Sequence, residues 1–138
     1  MVEKEFIYKG LICIVKFNEV TGCRCGYVEI PENNKLYMKD GLCERELHCH
    51  CGITSIQIEN YIQYFVGFDC AHFPMDIPDI DFMYHNIMIV NNSLFEIVQT
   101  AKNSKYIGKV WKLEDVEEEI KQLADQIVKY NIDGGDNI

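Results

Sequence analysis

Hydrophobic and polar positions in the first seventy residues predict a series of short β-strands. FIYKG and LICIVKF, within residues 6–17, are rich in β-branched and aromatic residues, and Lys9-Gly10 supplies a turn between them. CGYVEIP predicts a third strand that ends at Pro31, and the polar stretch PENNKLYMKDG predicts a loop. LHCHCGITS and YIQYFVGFD, on either side of IEN, predict two further strands. Short consecutive strands with short links favour an antiparallel sheet.

The pattern changes after Asp69. CAHFPMDIPDIDFMYHN contains two prolines and several acidic residues, so we expect it to be irregular and exposed. IMIV predicts one more strand, and NNSLFEIVQTAK predicts a helix over residues 93–102, with Ser93 and Glu96 in an S-x-x-E capping box.

The clearest helix comes last, because apolar residues recur with 3.6-residue spacing from Leu113 to Val128. Its first turns are acidic, and Lys121 and Lys129 come later, which complements the helix dipole. The sequence therefore predicts one α+β domain over residues 1–138. An N-terminal antiparallel sheet at about 4–90 is followed by C-terminal helices, at about 93–102 and 113–130, that pack on it.

Composition narrows the class of protein. The chain has 138 residues, no apolar run reaches the ~20 residues that span a bilayer, and MVEKEFIYKG lacks the apolar core of a signal peptide, so we expect a cytoplasmic protein without a membrane partner. Seven cysteines, an odd number, favour reduced thiols over disulfides. A net charge of −9 argues against binding to long nucleic acids.

Residues 48–51, HCHC, raise the possibility of a metal site. In a strand, alternate side chains point to opposite faces, so Cys49 and Cys51 would pack in the core and His48 and His50 would face a polar surface. Four ligands from both faces of one strand cannot meet at one ion. We therefore expect no metal, although thiols of two paired strands (Cys23, Cys25, Cys49 and Cys51) remain an alternative zinc site.

Four sequence blocks, CGYVEIP, HCGITS, VGFDCAH and EEIKQLADQI, resemble a family of small phage and prophage proteins with CGYV, HGG-T and GFD-x-x-H strands and a closing LA-x-Q helix. In that context the chain looks like a Thoeris anti-defence sponge of the first type. The resemblance implies an N-terminal sheet followed by helices, assembly as a homodimer or higher homo-oligomer, and sequestration of cyclic ADP-ribose signals without cleavage. The sequence departs from the family at Cys51, where glycine is usual, and in HFPMDIPD.

A cyclic ADP-ribose isomer offers an adenine, two riboses and a diphosphate, which require aromatic, polar and cationic partners respectively. The polar face of the predicted sheet, the aromatic residues near the GFD block and the lysine-rich segment 102–112 provide all three classes. The residues assigned to the ligand site are Arg24, His50, Thr54, Phe68, Asp69, His72, Phe82, Asn92, Lys105 and Lys109. No cofactor and no catalytic residue are predicted.

Two other functions remain open. His48, His50 and His72, with Asp69 or Asp76, would suit a signal-cleaving phosphodiesterase or metal-assisted hydrolase, although the paired H-x-T motifs of two-histidine phosphodiesterases are missing. An acidic protein that inhibits a host defence factor is the third possibility.

Overall fold

The computed structural model describes residues 1–86, 96 and 108–132. These residues include seven strands, β1 (Val2–Tyr8), β2 (Leu11–Asn18), β3 (Cys23–Glu29), β4 (Ser55–Ile56), β5 (Phe65–Asp69), β6 (Asp76–Ile77) and β7 (Lys109–Val110). The helices of this part of the chain are α1 (Asp40–Glu46), α2 (Ile80–Asn86) and α3 (Leu113–Val128). Strands β1 to β5 form an antiparallel sheet in the order β1-β2-β3-β5-β4, and β6 and β7 form a short parallel pair. The predicted α+β class is confirmed.

The β1–β2 hairpin follows from its turn. Tyr8 pairs with Leu11, and the two residues between them, Lys9 and Gly10, have φ values of 51° and 80°. A two-residue turn with two positive φ angles matches the right-handed twist of the flanking strands. Glycine at the second position favours this turn, because it adopts positive φ without steric cost. The predicted turn at Lys9-Gly10 is therefore confirmed.

Helix α3 lies across β2 and β3 and closes the main core. Its predicted apolar stripe is buried, including Val116, Ile120 and Leu123. Gly26, opposite Phe68 in the sheet, allows the close approach, because a Cβ there would lie 2.6 Å from Cζ of Phe68 and 2.9 Å from Cγ1 of Ile120. The final helix, predicted at about 113–130, is confirmed.

The predicted strand over residues 47–55 is wrong for most of its length. Helix α1 ends at Glu46, residues 47–54 form a loop with turns, and only Ser55 begins a strand. Cys51 and Gly52 have φ values of 56° and 82°, which break the strand alternation. Cys51 is consequently exposed rather than packed in the core. Cys49 is partly buried and packs against the main core. Residues 61–64, also predicted as strand, precede β5 without joining it.

The segment after Asp69 is more ordered and more buried than predicted. It contains β6 and α2, and the side chains of Asp76 and Asp79 are almost fully buried. Proline and acidic residues misled the sequence interpretation, because both aspartates have polar partners inside the protein. The predicted IMIV strand lies outside the described residues, as does the predicted helix 93–102 except for Glu96, which is helical. Within the described ranges, no helix combines the length and the apolar character needed to cross a bilayer.

Candidate functional site

Three separate segments meet at one edge of the fold. The loop after α1 brings His50 and Cys51, the segment that follows β5 brings His72 and Asp76, and the residue after β7 is Trp111. We call these five residues the histidine cluster. The three segments are more than twenty positions apart in the sequence, so only the folded chain assembles the site.

Asp76 is the centre of the histidine cluster. Its side chain is 1% exposed, and Nε2 of His50 lies 2.9 Å from Oδ1 and 2.8 Å from Oδ2. The indole Nε1–H of Trp111 donates to Oδ1 at 3.0 Å, and the backbone N–H of His72 donates to Oδ2 at 2.9 Å. These contacts satisfy the buried carboxylate and fix its orientation.

The His72 ring lies beside two carboxylates. Its Nδ1 is 3.3 Å from Oδ1 of Asp69 and 3.4 Å from Oδ2 of Asp76. This nitrogen is nevertheless buried and has no hydrogen-bond partner among the described residues, because the geometry to both carboxylates is poor. Buried polar atoms are nearly always hydrogen-bonded, so this unpaired ring nitrogen is a candidate for ligand binding.

The loop that carries His50 is tied to α3. The backbone N–H of His50 donates to Oε2 of Glu119 at 2.7 Å, and the backbone N–H and C=O of His48 bond to the side-chain amide of Gln126 at 2.8 Å and 2.7 Å. The positive φ of Cys51 then turns the chain so that its Sγ lies 3.7 Å from Nε2 of His50. His50, Cys51 and His72 thus each place a possible metal-binding atom within 4.8 Å of the others.

Aromatic and cationic groups line the outer side of the cluster. The rings of His50 and Trp111 have centroids 4.5 Å apart at 44°, and Nζ of Lys109 lies 4.1 Å from the centroid of the Trp111 ring. The Lys109 side chain is 53% exposed, with a long contact of 3.8 Å to Asp115. Phe73 and Met75, next to His72 in the chain, are also exposed. The aromatic rings of this outer surface can stack on a flat group of a ligand, and the ammonium group of Lys109 can pair with an anion.

Arg24 lies in a different polar network. It is 3% exposed, and its guanidinium donates four hydrogen bonds, two to Glu3 at 2.7 and 3.0 Å, one to Asp79 at 2.7 Å and one to the carbonyl of Trp111 at 2.9 Å. The guanidinium carbon is 4.8 Å from the centroid of Phe82. Burial is the largest single influence on the pKa of Asp79 and would raise it, but the hydrogen bonds from Arg24, from the backbone N–H of Phe82 and from Lys112 together outweigh it, and the pKa is lowered.

An open cleft of about 380 Å³ borders the Arg24 network. Its lining includes Glu3, Asp79, Asp81 and Glu114, so carboxylates dominate it despite Arg24 and Lys112. Because the guanidinium is already bonded to protein acceptors, this cleft is a poor site for a diphosphate.

The structure brings together four residues of the predicted ligand site: His50, Asp69, His72 and Lys109, all in or beside the histidine cluster. It places four others elsewhere. Phe68 lies in the core at 1% exposure, and Arg24 and Phe82 belong to the second network. Thr54 is exposed, and its backbone N–H donates to the carbonyl of Gly67. Asn92 and Lys105 lie outside the described residues.

Sequence reasoning did not assign Asp76, Cys51 or Trp111 to the ligand site. The sequence suggests Asp76 only as a hydrolase residue, within a segment that it predicts to be exposed. Strand alternation predicts that Cys51 packs in the core. The one signal available was the spacing of His72 and Asp76, i and i+4, in a turn directly after a strand.

Thiol chemistry is suppressed at the six cysteines that are buried or partly buried. Burial raises the pKa of Cys13 and of Cys49 to about 12 and that of Cys23 to about 11, and it also raises the pKa of Cys25, Cys43 and Cys70. A thiol rather than a thiolate is a weak nucleophile.

Comparison of the chain with protein-family models, curated proteins and solved structures finds no match.

Proposed function

We propose that the protein binds and sequesters a cyclic ADP-ribose-type nucleotide signal, without cleaving it, on the outer side of the histidine cluster. The observation that carries the proposal is the stack of Lys109 on Trp111 on His50, with His72 alongside. This is a phage anti-defence role in the host cytoplasm, as the family resemblance implies.

The chemistry of this surface suits the parts of such a ligand. Trp111 and the exposed ring of Phe73 offer flat apolar surfaces for the base, and Lys109 offers a cation for the diphosphate. Asp69, about one-third exposed, can accept a hydrogen bond from a ribose hydroxyl. The alternative surface beside Arg24 suits a diphosphate less well, because four of the five guanidinium N–H groups already bond to protein acceptors and Lys112 is paired with Asp79 at 3.2 Å.

Retention rather than turnover is supported by the state of the nucleophiles. Covalent catalysis by cysteine needs a thiolate, and burial raises the pKa of the thiols that pack in the core. His50 is held by both oxygens of Asp76, so its ring is oriented by the protein rather than poised against a serine or threonine hydroxyl.

We propose that the assembled form is a homodimer or higher homo-oligomer that closes over this surface. Phe73 and Met75 are 47% and 56% exposed beside His72, which leaves apolar area for a second copy to cover. Light scattering on the eluting protein should give at least twice the chain mass of 16.1 kDa, and a monomer at micromolar concentration would contradict this assembly.

The proposal is tested by binding a cyclic ADP-ribose isomer to charge-reversed variants. Lys109→Glu should weaken binding roughly tenfold or more, since a lost charge-assisted contact is worth about 1.5–3 kcal/mol. Lys35→Glu is the matched control, because Lys35 is an exposed lysine near the opposite end of α3, where its backbone N–H bonds to Tyr130. Equal affinity of both variants and the parent protein by calorimetry would place the ligand elsewhere.

A metal-assisted hydrolase is the second candidate, and one observation favours it. His50, Cys51 and His72 gather possible metal-binding atoms within 4.8 Å, with Asp76 beside them. A bound metal can activate water for attack on a phosphate ester. Intact and cleaved ligand after incubation distinguish the two candidates.

A further inference from the structure

We propose that His50, Cys51, His72 and Asp76 form a binding site for one transition-metal ion, best suited to Zn²⁺. The inference does not depend on nucleotide binding, since it concerns the inner side of the histidine cluster rather than its outer surface.

Two of the distances between donor atoms match the edges of a small tetrahedron, and a third is shorter. With zinc bonds of about 2.0–2.1 Å to nitrogen or oxygen and about 2.3 Å to sulfur, the edges of a tetrahedral site are about 3.3–3.8 Å. Cys51 Sγ lies 3.7 Å from Nε2 of His50, and Nδ1 of His72 lies 3.4 Å from Oδ2 of Asp76. The 2.8 Å between Nε2 of His50 and the same Oδ2 is a hydrogen bond that would lengthen by about half an ångström around an ion.

The unpartnered nitrogen of His72 points to the same conclusion. Its Nδ1 is buried without a hydrogen bond in the described part of the chain, although two carboxylates lie within 3.4 Å. A metal ion among these groups gives that nitrogen a partner and at the same time neutralises the carboxylates. Water alone does not supply that positive charge.

Two buried aspartates show the contrast. Asp79 is paired with the permanent cations of Arg24 and Lys112, at 2.7 Å and 3.2 Å. Asp76 is equally buried, yet its ion-pair partners among the described residues are the imidazoles of His50 and His72 alone. Imidazole is also the commonest metal ligand in proteins, so a cation between these rings and the carboxylate completes the charge balance.

Contacts outside the donor set hold the donors in place. Trp111 bonds Oδ1 of Asp76, which leaves Oδ2 directed between the two rings. Glu119 anchors the backbone of His50, and Cys51 sits exposed in a left-handed turn at the mouth of the site. Outer contacts of this kind orient metal ligands. Two nitrogens, one sulfur and one oxygen favour zinc over calcium or magnesium, which prefer oxygen ligands.

Metal content of the full chain tests the site. After dialysis against Zn²⁺ and removal of free metal, elemental analysis should give one zinc per chain for the parent protein and for His48→Ala, whose exposed imidazole lies in the same loop outside the cluster. His72→Ala and the Cys51→Ser variant should lose zinc affinity at least tenfold. Zinc below one-tenth of an equivalent in the parent protein, or equal affinity in all variants, would overturn the proposal.

A second measurement needs no variant and shows which thiol is involved. Cys51 is the one exposed cysteine of the seven, so in the apoprotein a single thiol should react quickly with a maleimide reagent. Zn²⁺ should slow that reaction at least tenfold, and Co²⁺ should give a thiolate-to-metal charge-transfer band. An unchanged labelling rate together with no such band would contradict the assignment of Cys51.

Discussion

Replacement of Arg24 tests how the interior of this protein is held together. Arg24→Met keeps much of the side-chain volume and removes the charge from a position that is 3% exposed. Asp79 and Glu3 then lose their closest partner, since the guanidinium now bonds them at 2.7 Å each. Lys112 remains near Asp79, but its side chain is 49% exposed and its contact is 3.2 Å.

Arg24→Met should lower the free energy of unfolding by a large amount. Removal of one partner from a buried ion pair destabilises by roughly 3–5 kcal/mol, because the other charge stays buried and uncompensated. At about 4 °C of melting temperature per kcal/mol for a domain of this size, Arg24→Met should lower Tm by roughly 12–20 °C. Lys112→Met removes a partner from the same carboxylate at the surface, and should cost less than about 1 kcal/mol.

The lowered pKa of Asp79 predicts how the destabilisation by Arg24→Met changes with pH. Because the pKa of Asp79 is lowered in the folded protein, its contribution to stability is present above the unfolded pKa and is lost as pH falls through the folded pKa. The difference between Arg24→Met and the parent protein should therefore be greatest near pH 7 and smaller at about pH 3, where the variant can protonate Asp79.

Urea unfolding at both pH values, followed by circular dichroism, measures these differences. A double-mutant cycle with Asp79→Asn should give a coupling energy of roughly 1–3 kcal/mol. A difference below about 1 kcal/mol at pH 7 between Arg24→Met and the parent protein would refute the reasoning, and would return Arg24 to the candidates for ligand binding.

Two further substitutions test the packing of α3. Gly26→Ala should destabilise by about 1–3 kcal/mol in urea unfolding, because the new methyl meets the ring of Phe68 at 2.6 Å, whereas Gly41→Ala, with nothing within 4 Å, should cost nothing. Asn34→Ala should lower the free energy of unfolding by about 1–3 kcal/mol, because the buried side-chain amide donates at 2.8 Å to a carbonyl in the last turn of α3. Asn33→Ala, at an exposed neighbouring position, should change it by less than about 0.5 kcal/mol. Equal stability within either pair would contradict the packing described.

The parts of the fold that sequence predicts well are those in which local signals agree. The β1–β2 hairpin has β-branched strands and a Lys9-Gly10 turn with positive φ, and α3 has an apolar stripe and acidic residues in its first turn. Each element is specified by its own residues. The order β1-β2-β3 then follows from short antiparallel links, whereas β5 lies between β3 and β4 after a long connection that includes α1.

The candidate site was less predictable because its geometry depends on tertiary contacts. The alternation of histidine and cysteine at 48–51 imitates a strand, but the left-handed turn at Cys51 and the side chains of Glu119 and Gln126 hold it as a loop. Asp76 reads as a surface acid, and only its hydrogen bonds to His50 and Trp111 make its burial tolerable. No local pattern reports contacts across 35 residues.

The fate of a bound nucleotide tests the central claim most directly. The protein is incubated with a cyclic ADP-ribose isomer, with and without Zn²⁺, separated from free ligand, heat-denatured, and the released material is identified by mass. We predict intact ligand at about one equivalent per site from the parent protein and Lys35→Glu, and much less from Lys109→Glu. A cleaved product, or no retained nucleotide under either condition, would contradict sequestration at the histidine cluster.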